Sequence, residues 1–301
     1  MTKSDDALIE ALQKGGLAIM AGSGELPHQL VALARARQIN HLVITFSGQS
    51  YDRPFPASPC HQFRFGAIKA ISACLHDHQI THLVMAGSMR RPSMQQIRPD
   101  AMGLRWLAKM GGRLFGDDQL LRRLITLIEQ ELSIAVIGVD QLLDLALPAS
   151  DAAKAGSGYL GQHQADQTSL DDIAHSVFVF RHLGPADIGQ ALVVEEGMVL
   201  AVEAIEGTAA MLARAGELRR SPGQAGVLVK LMKPGQERRA DLPTIGPATV
   251  EQAAAIGLAG IVIDARAMLV IDRKAVIAAC DRAGLFFYAL DPDHFDPSQV
   301  R

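Results

Sequence analysis

Arg238-Arg239-Ala240-Asp241-Leu242-Pro243-Thr244-Ile245-Gly246-Pro247-Ala248-Thr249 gathers groups that can handle a charged ligand. A basic pair precedes an acid, and Pro and Gly stiffen the turn. Thr249 puts a hydroxyl at the expected start of a helix over Val250-Glu251-Gln252-Ala253-Ala254-Ala255. Backbone N–H groups at a helix N-terminus favour anions. A phosphate can therefore lie there, with Asp241 beside it to bind a metal or take a proton. By residue type alone, an ordinary Asp in a capped turn is the simpler account.

A second stretch repeats the pattern. Glu203 and Glu206 precede Gly207, and Thr208 can cap the helix expected after it. Two helix starts that each carry an acid, a Gly and a hydroxyl raise the expectation of an anion site. Gly226–Leu231 reads as a strand, and Lys230 and Lys233 lie close before the Asp241 loop, where ammonium groups can offset phosphate charge.

The elements that position these residues fall into two halves. In the first, Leu17-Ala18-Ile19-Met20 reads as a buried strand, Ala21-Gly22-Ser23-Gly24 as a turn, and 29–38 as a helix. This is the opening unit of a nucleotide-binding α/β domain, in which Gly lets backbone approach a phosphate. The dinucleotide pattern is incomplete, because Pro27 stands where a third Gly belongs. Strands follow at 41–46, 81–87 and 134–139, with helices at 66–78 and from Gly116 to about Glu131. Gly87 and Ser88 end a strand, the edge where open parallel sheets bind ligands. Met89 to Trp106 reads as a basic loop with Arg90, Arg91, Arg98 and Arg105 interleaved with Met89, Met94 and Met102. Asp117 and Asp118 open a helix, where they suit the helix dipole, Mg²⁺ or a ribose hydroxyl. The alternation predicts a Rossmann-like parallel-sheet domain over 1–145 and a linker and mobile segment over 146–170. A distinct mixed α/β catalytic domain follows over 171–301, with a hairpin at Glu196-Gly197.

The composition narrows the class. The chain has 301 residues, 49% of them hydrophobic and 20% charged, enough for two globular cores. A net charge of −3 gives no footprint for nucleic acid. Cys60, Cys74 and Cys280 show no metal-like spacing and suggest a reducing compartment. His76-Asp77-His78 lies at a helix end without evident partners, and His163, His175 and His182 read as surface or packing residues. The first residues are polar and acidic, and no apolar run reaches membrane-spanning length, so a cytoplasmic location is expected.

No Walker A loop, G-x-S-x-G elbow or H-E-x-x-H helix is present. Six segments instead resemble, in the same order, the LpxI-type UDP-2,3-diacylglucosamine pyrophosphatases of lipid A synthesis. They are Ala21-Gly22-Ser23-Gly24-Glu25-Leu26-Pro27, Ala86-Gly87-Ser88-Met89-Arg90-Arg91-Pro92 and Gly116-Asp117-Asp118-Gln119-Leu120-Leu121-Arg122-Arg123. The others are Asp187-Ile188-Gly189-Gln190, Glu203-Ala204-Ile205-Glu206-Gly207-Thr208 and Asp241-Leu242-Pro243-Thr244-Ile245-Gly246. The last two are the most specific. Ser23 stands where the family pattern has Gly, and Ser88-Met89 where it has an Asn-Val-like pair. These departures bear on uracil and ribose contacts and leave the acidic loop intact.

The resemblance implies hydrolysis of UDP-2,3-diacylglucosamine to UMP and 2,3-diacylglucosamine 1-phosphate (lipid X), with Mg²⁺ or another divalent cation. It implies a Rossmann-like and a C-terminal domain with the site in the cleft between them. By the resemblance Asp241 matches the family's catalytic aspartate, which can ligate the metal, orient the water or accept its proton, and the family pattern implies water attack on the sugar-side phosphorus. The substrate-contacting residues expected from the segments are Gly22, Ser23, Gly24, Leu26, Pro27, Gly87, Ser88, Arg90, Asp117, Asp118, Gln190, Glu203, Gly207, Thr208, Lys230, Thr244 and Gly246. Two acyl chains imply transient, peripheral contact with the inner membrane surface, and the family suggests a homodimer. The acyl chains need an apolar cleft, to which Met89, Met94 and Met102 can contribute. Two other readings compete: a Rossmann-type oxidoreductase, which Pro27 and Phe46-Ser47-Gly48 disfavour, and a nucleotide-sugar-binding protein without turnover.

Overall fold

Short apolar runs separated by Gly-containing turns build two parallel-strand cores. The structure is a computed structural model describing residues 3–51, 53–55, 58–90, 92–93, 95–110, 117–145, 157–186, 188–233, 236–240 and 242–296. The chain divides into two compact units, Met1–Ala152 with Glu237–Asp241, and Ala153–Gln236 with Leu242–Arg301.

The first unit comprises α1 (Lys3–Gly15), β1 (Leu17–Ala21), α2 (Leu26–Ala36), β2 (His41–Phe46), β3 (Cys60–Phe63), α3 (Ile68–Asp77) and β4 (His82–Ala86). It continues with α4 (Ala101–Met110), α5 (Asp117–Leu132), β5 (Ala135–Ile137) and α6 (Val139–Asp144). Its five strands are all parallel, in the order β3-β2-β1-β4-β5, with Leu17 opposite both His41 and His82. This is the expected Rossmann-like arrangement, and the strand order reverses between β1 and β4. Ala18, Leu42, Ile44 and Leu83 pack on one face with Ile71, Leu75, Trp106, Ile125 and Ile128. Each buried aliphatic side chain there stabilises the unit by roughly 1.5–3 kcal/mol. The indole N–H of Trp106 donates to Glu131 at 2.8 Å, so burying the ring strands no polar atom.

Two elements of this unit differ from expectation. The polar N-terminus is a helix, because Ile9 and Leu12 share one buried face. The second half of the expected basic loop is α4, which turns Gly103 and Trp106 inward. Asp100 caps it by accepting from Gly103 N at 2.8 Å, and the same carboxylate accepts from Lys69 N at the start of α3. Arg105 lies on the outer side of α4 and pairs with Glu131 at 2.7 Å. Arg91 and Met94 are outside the described residues.

The second unit comprises β6 (Gly158–Tyr159), α7 (Gln167–Leu183), β7 (Ala191–Glu195), β8 (Met198–Val202), α8 (Thr208–Leu218) and β9 (Val227–Lys230). It continues with β10 (Thr244–Ile245), α9 (Pro247–Ala255), β11 (Gly260–Asp264), β12 (Leu269–Val270), α10 (Arg273–Ala283) and β13 (Phe286–Leu290). The main sheet runs β6-β13-β11-β9-β7-β8. Its centre, β13-β11-β9, is parallel, and the outer strands are antiparallel to their neighbours, giving the mixed α/β unit expected. Strand alternation sends Leu228, Ile261 and Phe287 to a core with Met211, Val250 and Val276 of α8, α9 and α10. Val227, Val229 and Val262 face Ile173 and Val177 of α7. The Glu196-Gly197 hairpin forms with positive φ at both residues. Asp172 accepts from both turn N–H groups, at 3.0 and 2.7 Å.

Part of the stretch read as a linker is ordered. Gly158–Tyr159 pairs with β13, and α7 begins at Gln167, capped by Asp166 accepting from Ser169 N at 2.8 Å. The helix has no clean apolar period, because its buried face carries Ser169, Asp172 and Ser176. Residues 146–156 lie outside the described set. Among the described residues no helix is long and apolar enough to cross a membrane.

Candidate active site

The sheet of the first unit brings together Gly22, Ser23, Gly24, Gly87 and Ser88 at its switch point. Ser23 N donates to Ser88 O at 2.7 Å, and Ser88 N donates back to Ser23 O at 3.0 Å, while the Ser23 hydroxyl reaches Ser88 O at 3.1 Å. Gly22 N donates to Ala86 O at 2.7 Å. The glycines therefore have a different steric role from the one expected. A Cβ on Gly87 would come 2.5 Å from Ser23 O, and one on Gly22 would collide with the Gly87-Ser88 backbone. Both are glycine so that two strand ends can touch, and the Gly22 and Ser23 N–H groups are taken up in that contact.

Leu26 and Pro27 lie buried in that turn, where they set the helix entry. Arg90 is exposed at the same edge, and the Gln49 amide holds its backbone by two 2.9 Å hydrogen bonds. Asp117 and Asp118 open α5, and their side chains are outside the description.

In the second unit Gln190, Glu203, Thr208 and Lys230 form one connected network. The Thr208 hydroxyl donates to Glu203 Oε1 at 2.6 Å and accepts from Lys230 Nζ at 2.7 Å. Gln190 N donates to Glu203 Oε2 at 3.2 Å. Glu203 and Lys230 are buried. Thr208 was expected as a helix cap. Gly207 holds that position instead, which places Thr208 in the first turn and turns its hydroxyl to the acid.

Lys230 ends β9, beside Ile263 of β11. The next residue of β11, Asp264, is buried at the same sheet edge and accepts from Arg266 N at 2.9 Å. Burial pushes its carboxyl above the usual range, against the pull of backbone N–H groups from Arg266 and Met232. No sequence expectation fell on Asp264, although an acid closing the apolar run Ile261-Val262-Ile263 was the available signal.

Asp241 lies outside the described residues. Its neighbours are defined. Arg239 pairs with Glu237 at 2.9 Å and Glu129 at 2.7 Å, Arg238 approaches Asp140 at 3.6 Å, and Ala240 packs against the core of the first unit. The basic pair thus anchors the loop to acids of that unit. After the loop, Thr244 lies in a short parallel pair with β12, its hydroxyl donating to Leu242 O at 3.0 Å. Gly246 is the N-cap of α9. The helix begins at Pro247, two residues before the expected Thr249, because Pro suits the first helical position.

Beside the switch point the first unit contains a cavity of about 450 Å³. Its walls are almost wholly apolar: Met20, Phe46 and Met85 from the sheet, Ile71 from α3, Trp106 and Leu107 from α4, and Leu120, Leu124 and Ile128 from α5. Gly87, Ser88, Met89, Arg90 and Ala240 also line it. A volume of this size falls in the range of small-molecule sites, roughly 300–1,000 Å³. Burial pushes Cys280 up to about 12 and raises Cys60 and Cys74 as well.

The first unit is thus a parallel sheet with an apolar chamber beside its switch point, and the second a mixed α/β unit holding a buried Lys–Thr–Glu network. Residues 16–145 match the family model described as the LpxI N-terminal domain, and residues 156–288 match the LpxI C-terminal domain. The chain is 40% identical over 288 residues to the UDP-2,3-diacylglucosamine pyrophosphatase LpxI of Caulobacter vibrioides, covering 92% of this chain and 98% of that protein. The chain belongs to the LpxI family and is a hydrolase of the pyrophosphatase type.

Proposed function

We propose that this protein hydrolyses UDP-2,3-diacylglucosamine to UMP and 2,3-diacylglucosamine 1-phosphate in lipid A synthesis. The observation that carries the reading is the apolar cavity rimmed by Gly87, Ser88 and Arg90. A soluble nucleotide sugar has no use for such a chamber beside a nucleotide-binding sheet edge. Acyl chains do, since burying their surface is worth about 0.8 kcal/mol per CH₂. The full-length similarity to the Caulobacter vibrioides enzyme supports the same substrate.

The groups suit a pyrophosphate. Cations offset the charge that repels an attacking water, and each unit offers a candidate, the exposed Arg90 in the first and Lys230 at the end of β9 in the second. A divalent cation such as Mg²⁺ would add further neutralisation, and a hard carboxylate such as that of Asp241 is a usual protein ligand for it. In this reading Asp241 holds the cation or orients and deprotonates the water, which adds its oxygen to phosphorus as UMP leaves.

UMP release from UDP-2,3-diacylglucosamine with Mg²⁺ tests this. Wild type should turn over, EDTA should stop it, and folded Asp241→Ala should lose roughly 100-fold or more, as expected for a group stabilising the transition state. UDP-N-acetylglucosamine, which lacks the long chains, should be a poor substrate. A folded wild type that binds the acylated nucleotide and releases no UMP overturns the proposal.

A further inference from the structure

Cys74 and His78 lie one turn apart at the end of α3, so both side chains emerge on the same side of the helix. β3 forms the edge of the sheet, and His61 within it meets this helix end. The His61 and His78 rings stand edge to face with centroids 5.1 Å apart. Cys74 Sγ is 3.9 Å from His78 Nδ1. Each of the three side chains offers one ligand atom, and all three atoms lie within 4.8 Å of one another, the one such His/Cys/Asp/Glu group among the described residues. In sequence His76-Asp77-His78 looked unpartnered. The fold supplies the partners from a strand and from the preceding helical turn.

His78 Nδ1 is 2.9 Å from the Cys74 carbonyl oxygen. A carbonyl only accepts, so in the metal-free protein Nδ1, the nitrogen 3.9 Å from Cys74 Sγ, carries the proton, and it gives up this hydrogen bond when it ligates a metal beside the sulfur. Asn40 donates to the His78 carbonyl at 3.0 Å and steadies the helix end.

We propose that His61, Cys74 and His78 bind a transition-metal dication of the zinc class, separate from the hydrolytic site. Two imidazoles and a thiolate suit zinc, whereas Mg²⁺ prefers oxygen. Tetrahedral zinc with bonds near 2.0 Å to nitrogen and 2.3 Å to sulfur needs N···S separations of about 3.5 Å. His61 is exposed, so its side chain can rotate to close the site with the backbone unchanged. On binding, a metal–sulfur bond forms and the thiol proton leaves to solvent, and water completes the fourth position. The ion would tie the edge strand to α3, a helix that lines the apolar cavity.

The test uses the full chain without a histidine tag. Co²⁺ should give a near-ultraviolet thiolate-to-metal absorption at one ion per chain. Zn²⁺ should displace it and raise the melting temperature. Cys74→Ser should abolish the absorption, and His61→Ala should weaken Zn²⁺ binding at least tenfold. Cys60→Ser, which changes the neighbouring exposed thiol, should leave both unchanged. Circular dichroism confirms that each variant is folded. An absent thiolate band in wild type, a band that survives in folded Cys74→Ser, or one lost in Cys60→Ser overturns the proposal. None of these readouts depends on UMP release.

Discussion

The Thr208 hydroxyl donates to Glu203 Oε1 across 2.6 Å, and in the same position it accepts from Lys230 at 2.7 Å. One hydroxyl therefore links a buried carboxylate to a buried ammonium at the first turn of α8. Thr208→Val keeps the shape and removes a donor from Glu203 and an acceptor from Lys230. Hydrogen bonds to charged groups are worth about 1.5–3 kcal/mol, so the variant should lose roughly that much stability. UMP release should fall at least tenfold, and Thr208→Ser should recover most of it. Equal losses in the Ser and Val variants would show that the hydroxyl is not the operative group.

Gly87 and Gly24 separate two reasons for a glycine. Both have positive φ, +88° and +97°, but only Gly87 is crowded, with Ser23 O 2.5 Å from a built Cβ. Around Gly24 nothing lies within 4 Å. Gly24→Ala should cost about 1–2 kcal/mol from backbone strain alone. Gly87→Ala should cost more, because it also forces β1 and β4 apart at their ends. Urea midpoints compare the two, and a larger loss at Gly24 would refute the steric account.

Filling the cavity should separate stability from substrate use. Leu124→Trp adds volume from the α5 wall. Turnover of UDP-2,3-diacylglucosamine should fall on the order of tenfold or more, as pocket-size changes do, with a raised KM. The melting temperature should hold or rise, since the space is already present. Unchanged KM in a variant confirmed to fill the chamber would remove the acyl chains from it.

Glu131 gives a pH signature. The Lys109 ammonium and the Trp106 N–H, joined by Arg105 and opposed by partial burial, hold its carboxyl from an ordinary 4.5 down to about 2. A depressed carboxylate contributes stability that is fully present above 4.5 and disappears as pH falls through about 2. The stability gap between wild type and Glu131→Gln should therefore shrink between these values. Denaturant midpoints across that window measure it, and a constant gap would contradict the ion-pair cluster.

Much of the architecture was legible as local pattern. Leu17–Ala21 and the Leu42–Ile44 centre of β2 are apolar runs because both faces of a parallel strand are covered. Glu196-Gly197 marked its hairpin because a two-residue turn demands positive φ. α4 and α7 were hidden, the first by interleaved arginines and the second by Ser169, Asp172 and Ser176 on its buried face.

By itself, then, the sequence determined two α/β units, the glycine-bearing strand ends, and which short segments carry acid and hydroxyl groups, because backbone preference and burial period act over a few residues. Tertiary structure decided which of those groups meet. Placing β1 against β4 in the register Leu17↔His82 brings Ser23 to Ser88. Placing β9 beside β7 and under α8 joins Lys230 to Thr208 and Glu203. Closing α3, α4 and α5 over one sheet face leaves the apolar chamber, and laying β3 along the edge sets His61 against Cys74 and His78. Hydrogen-bond partners, clusters and cavities come from contacts between distant segments, and hydrophobic periodicity carries no record of which segments become neighbours.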